Sequence, residues 1–199
     1  SGCSTVPLYS QRMEDFSETL LVLYSCDVTL DPNTANTRLS LSEENRKAVR
    51  VEERQTYPDH PERFDYWEQV LCRESLTGRC YWEAEWSGDV YIAVTYKGIG
   101  RKGGSDCQFG WNEKSWSLSC SNIRYSVCHN NISTAVSAPS SQSNRVGVYL
   151  DCPAGSLSFY SVSRETHRLT LLHTFSCSFT EPLYAGFGLY SSDSSVCVR

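Results

Sequence analysis

The chain has 199 residues, 40% hydrophobic and 12% aromatic, enough for one large domain with a sizeable core or two small ones. No apolar run approaches the roughly 18 residues of a membrane span. A net charge of −5 with no dense Lys/Arg run argues against a nucleic-acid phosphate footprint.

In chain order, residues 5–24 carry Arg12, Met13, Phe16, Leu20 and Leu23 at spacings near three and four, with Glu14, Asp15 and Glu18 between them. This spacing predicts a short amphipathic helix or an extended lead-in over residues 1–24. No basic region precedes the short apolar run Leu20–Tyr24, so no signal peptide is expected in this stretch. From residue 25 the pattern turns to strands. Val28 and Leu30 alternate with polar neighbours, and Asp31-Pro32-Asn33 breaks the run as a turn. Leu39-Ser40-Leu41 and Lys47–Val51 are short strands around a turn at Ser42–Asn45. Gln55–Asp65, with Pro58 and Pro61, is an irregular loop.

Short alternating strands then follow. Trp82, Ala84 and Trp86 share one face, as do Val90, Ile92 and Val94. The sets Val146, Val148, Leu150; Leu157, Phe159; Leu169, Leu171, Phe175; and Leu183, Ala185, Phe187, Leu189 repeat the pattern. Period-2 alternation puts one face on a core and the other toward water. Regular short strands without long helices predict an all-β, two-sheet antiparallel β-sandwich. The polar stretch Ser133–Asn144 is expected to be an exposed loop.

Ten cysteines are present, and none form a CxxC pair, so no structural zinc site is expected. Several lie within apolar strand patterns, as Cys72 does after Val70-Leu71, where a thiol acts as a small buried hydrophobe. Reduced thiols and a cytoplasmic location are expected. The alternative is a secreted disulfide framework, which the sequon Asn131-Ile132-Ser133 favours.

Catalytic signatures are missing. Gly98–Gly104 is glycine-rich but matches no phosphate-binding loop, and it lies between strands with no helix to follow. No GxSxG elbow occurs, and the four histidines form no recognisable triad. Glu83 and Glu85, two apart on a strand, point the same way, away from Trp82 and Trp86. They read as strand residues answered by nearby arginines or backbone donors. The chain is therefore expected to be no enzyme and to hold no cofactor.

Three ordered strings carry a resemblance. Leu30-Asp31-Pro32, then Tyr81-Trp82-Glu83-Ala84-Glu85-Trp86, then Leu150-Asp151 with Ala154-Gly155 and Leu157-Ser158-Phe159-Tyr160 resemble the LDP, WEVE and LDYEAG signatures of the B30.2 (PRY–SPRY) family. The resemblance implies a PRY-like part over 25–79 and a SPRY-like part over 80–199. Val70-Leu71-Cys72-Arg73-Glu74 with Gly78–Glu83 is similar to the fish branch, which includes tripartite-motif ligases, NOD-like receptors and stonefish toxins. The family implies a non-catalytic module that captures a protein partner, here in innate immunity. Any ligase activity or oligomerisation would belong to segments outside these residues.

The resemblance also places the binding face on four variable loops: Arg54–Tyr66, Lys97–Glu113, Ser121–Ser143 and Gly188–Ser195. They offer Tyr57, His60 and Tyr66; Arg101 and Lys102; Arg124, Tyr125 and His129; and Tyr190. Aromatics and arginine dominate interface energetics, which favours these residues. Phe109 and Trp111 also lie in the second loop, and both are expected in the core, as are Trp116 and Leu118. The two tryptophans of the antibody-binding member correspond to Ser119 and Ser121, and its acidic residue falls near Tyr91, so antibody binding is not implied. Arg101-Lys102-Gly103 matches part of the butyrophilin small-ligand region, but Cys80 replaces its histidine. Replacing Tyr57 or Arg101 with alanine is expected to weaken partner binding at nearly unchanged melting temperature.

Overall fold

The computed structural model describes residues 19–199 except 123, 141 and 142. Thirteen strands run in chain order. They are β1 (Leu39–Ser42), β2 (Lys47–Arg50), β3 (Gln69–Leu71), β4 (Arg79–Ser87), β5 (Val90–Tyr96), β6 (Ser115–Cys120) and β7 (Tyr125–His129). There follow β8 (Ile132–Val136), β9 (Arg145–Asp151), β10 (Ser156–Val162), β11 (Leu169–Ser176), β12 (Leu183–Leu189) and β13 (Ser195–Val198). They form two antiparallel sheets, β1-β2-β13-β4-β9-β10-β11 and β3-β12-β5-β6-β7-β8. The fold is the all-β sandwich that the alternation predicts. Among the described residues no helix is long and apolar enough to cross a membrane.

The core lies between the sheets and follows period 2. Trp82, Ala84 and Trp86 of β4 face Val90, Ile92 and Val94 of β5 within one buried cluster, joined by Leu118, Val148, Phe159 and Phe187. Each large apolar side chain buried here contributes about 1.5–3 kcal/mol.

Four features depart from the sequence reading. The first is at β11, where Leu169 is buried but Leu171 is 53% exposed, and Leu172 points inward instead. The register against β10 shifts between Phe159 and Tyr160, so β11 carries one extra residue. A β-bulge swaps the faces of all residues beyond it, which alternation cannot foresee. The second is in the expected loop Ser121–Ser143, most of which is the hairpin β7–β8. Asn130 and Asn131 turn it with φ of 49° and 65°, the left-handed pair that a tight hairpin needs. β8 is an edge strand exposed along nearly its whole length, so it shows no alternation.

The third departure is the segment from residue 25 to 30, which makes only isolated bridges, Ser25 to Tyr81 and Leu30 to Cys72, and no continuous strand. In the lead-in, residues 19–24 are helical. Leu20 is buried against Tyr81, Tyr160, Val162 and Leu169, while Leu23 is 65% exposed. Arg12, Met13 and Phe16 lie outside the described residues, as does Cys3. The fourth departure corrects the reduced-thiol expectation: Cys26 is joined to Cys80 in a disulfide. The bridge at Ser25–Tyr81, with the Cys26 amide donating to the Tyr81 carbonyl at 2.9 Å, brings their Cα atoms within 5.5 Å. That separation lies inside the range a disulfide spans. Seven other described cysteines are free.

The 97–114 connection folds back over the outer face of the six-stranded sheet. Phe109, Phe64, Leu71, Ala93 and Ile99 make a further buried cluster there, whereas Trp111, also expected in the core, is only half-buried. Gly186 admits it: a Cβ at that position would stand 2.6 Å from Phe109 Cζ and 3.1 Å from Leu71 Cδ2. Gly186→Ala is expected to destabilise the domain by about 1–3 kcal/mol through overpacking. Thermal melting checks this; an unchanged melting temperature would show that the connection is loosely held.

Candidate functional site

Two connections, residues 51–68 and 97–114, meet at one side of the sandwich, and they are stitched by side chains bonded to main chain. Arg63, only 6% exposed, donates to the carbonyls of Pro58, Pro32 and Ala35, and its guanidinium lies 5.1 Å from the centre of the Tyr57 ring. Arg101 donates to the carbonyls of Ile99, Glu62 and Lys97 at 3.1, 2.8 and 2.7 Å. Its guanidinium lies 5.2 Å from the centre of the Phe64 ring, and burial pulls its pKa below the usual value. Lys102 reaches the carbonyls of His60 and Arg63. The Gly103 amide donates to Asp65 Oδ1 at 2.8 Å. The His60 ring accepts the Glu62 amide at 3.1 Å, which closes a local turn.

On this frame stands an aromatic cluster. Tyr66 packs edge-on to Trp67 at 5.2 Å, Trp67 to Tyr190 at 5.7 Å, and Tyr190 to Tyr91 at 4.8 Å between ring centroids. Trp67 Nε1 donates to the Gly104 carbonyl at 2.8 Å, tying the two connections together. Fully buried Gln69 organises the floor. Its amide donates to the Cys107 carbonyl, and its oxygen accepts from the Phe109 amide at 2.9 Å and the Tyr190 hydroxyl at 2.6 Å. Burial pushes the Tyr190 phenol well above its usual pKa, so it stays a donor. Tyr91 continues across the sheet in register with Ser119 of β6 and Ser126 of β7. Cross-strand partners share a face, so these hydroxyls extend the aromatic rim as a shallow polar strip.

The structure thus brings together Tyr66, Tyr91, Tyr190 and Ser119, with His60, Arg101 and Lys102 bracing the loops behind them. Others of the predicted residues stand elsewhere. Tyr57 packs on the main core and donates to the Leu39 carbonyl at 2.6 Å. Tyr125 and His129 are strand residues turned inward. Tyr125 is 6% exposed, lies edge-on to Trp86 and donates to the Ser143 carbonyl at 3.0 Å; burial pushes its phenol up to about 12. The His129 ring stacks on Trp116 at 4.5 Å, and its Nδ1 lies 2.7 Å from the Ser115 carbonyl. Ser121 and Arg124 lie at the β6–β7 connection, where the Ser121 amide and hydroxyl both donate to the Arg124 carbonyl. Trp67 and Gln69 went unnamed in the sequence reading. The Tyr66-Trp67 pair at the edge of a polar loop was the available signal for Trp67.

The expectation of unchanged stability for Tyr57→Ala and Arg101→Ala is corrected by these contacts. Each removal strands carbonyls or core surface, and each is expected to cost about 1–3 kcal/mol. Chemical denaturation with paired binding measurements separates this loss from any loss of affinity. Glu83 and Glu85 are answered as expected. Arg145 bridges both, Arg199 pairs with Glu85 at 3.0 Å, and the Tyr81 hydroxyl donates to Glu83 at 2.9 Å.

Residues 28–76 match the SPRY-associated domain PRY, and residues 79–198 match the SPRY domain. Stonustoxin subunit beta of Synanceia horrida is 48% identical over 166 residues, 82% of this chain and 23% of that protein. Tripartite motif-containing protein 16 of Mus musculus is 40% identical over 178 residues, 87% of this chain and 31% of that protein. The chain therefore spans less than a third of these relatives. A solved stonustoxin structure superposes with a TM-score of 0.83 at 39% identity, over 88% of this chain and 29% of that one. The crystal structure of the TRIM65 PSpry domain superposes with a TM-score of 0.79 at 25% identity, over 100% of this chain and 99% of that one. With both halves matched in order and the sandwich shared, the chain belongs to the PRY–SPRY, or B30.2, family.

Proposed function

We propose that this domain is a non-catalytic recognition module that captures a protein partner on the rim built by Tyr66, Trp67, Tyr91 and Tyr190. One observation carries the reading: an aromatic cluster rests on loops held by buried arginine–carbonyl and glutamine bonds. Rigid aromatic anchors lose little entropy when a partner covers them. The family resemblance supports a setting in innate immunity, as a part of a tripartite-motif ubiquitin ligase or a NOD-like receptor in the cytoplasm. Tyr66 is 65% exposed and makes no hydrogen bond among the described residues, so it separates binding from stability. Tyr66→Ala is expected to weaken partner binding by at least about tenfold while shifting the melting temperature by less than about 2 °C. Affinity capture from immune-tissue extract with wild type and variant, followed by titration of the captured protein, tests this. A partner held equally by both would overturn the assignment of the rim.

A second reading, a domain of a secreted toxin, is favoured by the Cys26–Cys80 disulfide together with the 48% identity to a stonustoxin subunit. Counting free thiols in the denatured chain separates the two. Ten would support the cytoplasmic setting; eight would support passage through an oxidising compartment.

A further inference from the structure

A cleft of about 380 Å³ opens where β6 gives way to β7 and where the chain enters β9. Ligand pockets span about 300–1,000 Å³, so it has room for more than a single ion. Arg124 and Arg164 line it from different connections, and Trp86 and Tyr125 supply aromatic wall. Among the described residues no acidic side chain lines it. Glu165 follows Arg164 in sequence but is not part of the wall. Both arginines are exposed, and among the described residues neither guanidinium has an ion-pair or hydrogen-bond partner. Arg46, Arg50, Arg79, Arg145 and Arg199 are all ion-paired, and the exposed Arg73 and Arg168, which share the unpaired state among the described residues, do not line the cleft.

The wall also holds an unmet donor. Trp86 is 5% exposed, and its buried Nε1–H has no acceptor among the described residues. Indole nitrogen only donates, and a buried donor without a partner costs free energy. Trp82, the other indole in this state, is not part of this wall. The Ser121 and Ser143 hydroxyls in the wall donate to the carbonyls of Arg124 and Val162, so their protons are committed. The exposed free donors of the cleft therefore include two guanidinium forks, beside a buried indole N–H, in a chain whose net charge is −5. Planar guanidinium forks match carboxylate and phosphate oxygens.

We propose that this cleft binds an acidic segment of a protein partner, with Arg124 and Arg164 holding a carboxylate or a phosphoserine. The proposal rests on the domain being a protein-recognition module but uses a site that Tyr66 and Trp67 do not line. Fluorescence anisotropy of the 199-residue chain at low salt tests it. The probes are labelled hexaglutamate, a neutral hexapeptide bearing one phosphoserine, and hexalysine. At least one acidic probe is expected to saturate, and which of them does so distinguishes a carboxylate from a phosphate source. Arg124→Glu with Arg164→Glu is expected to weaken it by at least about tenfold with the thermal melt retained. The single change Arg124→Gln, which leaves the local backbone bonds in place, should weaken it in the same direction. Tyr66→Ala should bind the acidic probes like wild type, so failure here and failure of the aromatic rim are separable. No saturation by either acidic probe, equal binding by the charge-reversed chain, or equal binding of hexalysine would overturn the proposal.

Discussion

Arg145→Ala is expected to destabilise the domain by about 3–5 kcal/mol, because it strips the shared counter-charge from two carboxylates on β4. Arg145 on β9 is directly opposite Glu85 in the register, and its guanidinium spans Glu85 and Glu83. The Glu83 side chain is 10% exposed and, among the described residues, keeps only the Tyr81 hydroxyl once Arg145 is gone; Glu85 keeps Arg199. A stability loss of this size lowers the melting temperature by roughly 6–20 °C for a chain of this length. The pH dependence has a definite sign. The hydrogen bonds from Arg145 and Arg199 hold the Glu85 carboxyl below its ordinary value of 4.5. A depressed carboxylate contributes stability above its unfolded pKa and loses it as pH falls through the folded one. The gap between wild type and variant should therefore be widest near neutral pH and should shrink below about 4.5 as Glu85 takes up a proton. Urea denaturation of both proteins across that range checks this; a gap independent of pH would mean that Arg145 acts through packing alone.

Arg63→Ala is expected to cost about 3 kcal/mol and to lower the melting temperature by roughly 6–12 °C. Among the described residues Arg63 has no acid in contact; its guanidinium instead makes four bonds to three main-chain carbonyls. Removing it leaves the Ala35 and Pro32 carbonyls without that donor in a region where water has little access, and frees the Pro58 turn. The same loss should reach the aromatic cluster, because residues 58–67 lead from this clamp to Tyr66 and Trp67. Hydrogen exchange is expected to show faster exchange in this connection than in β4 or β9. Uniform protection across the variant would mean that the loop is held elsewhere. Arg63→Lys should recover little, since an ammonium cannot fork between the two sides.

These two arginines illustrate how the domain divides its labour. Arg145 secures the outer face of the seven-stranded sheet, where it pairs with the carboxylates of β4. Arg63 and Arg101 secure the loops themselves, on which the aromatic cluster stands. If the proposed rim binds a partner, such bracing would raise affinity by preorganising it before contact.

The alternation of Val90, Ile92 and Val94, or of Val146, Val148 and Leu150, was enough by itself to determine a two-sheet sandwich and most of its core. A two-residue period leaves only one face for the interior. The three signature strings likewise carried the family. What local pattern could not supply was the role of each polar and aromatic loop residue. Tyr57 and Tyr66 look alike in sequence, yet one is a core strut and the other stands in solvent. Arg101 looks like a binding cation and is a loop clamp bonded to the carbonyl of Glu62, 39 residues away. Leu171 and Leu172 exchange faces because of one extra residue in β11, and Asn130-Asn131 turns a presumed loop into a hairpin. Only the tertiary structure decided these points, because each depends on which distant backbone groups arrive unpaired beside the side chain, and burial then compels it to bond them.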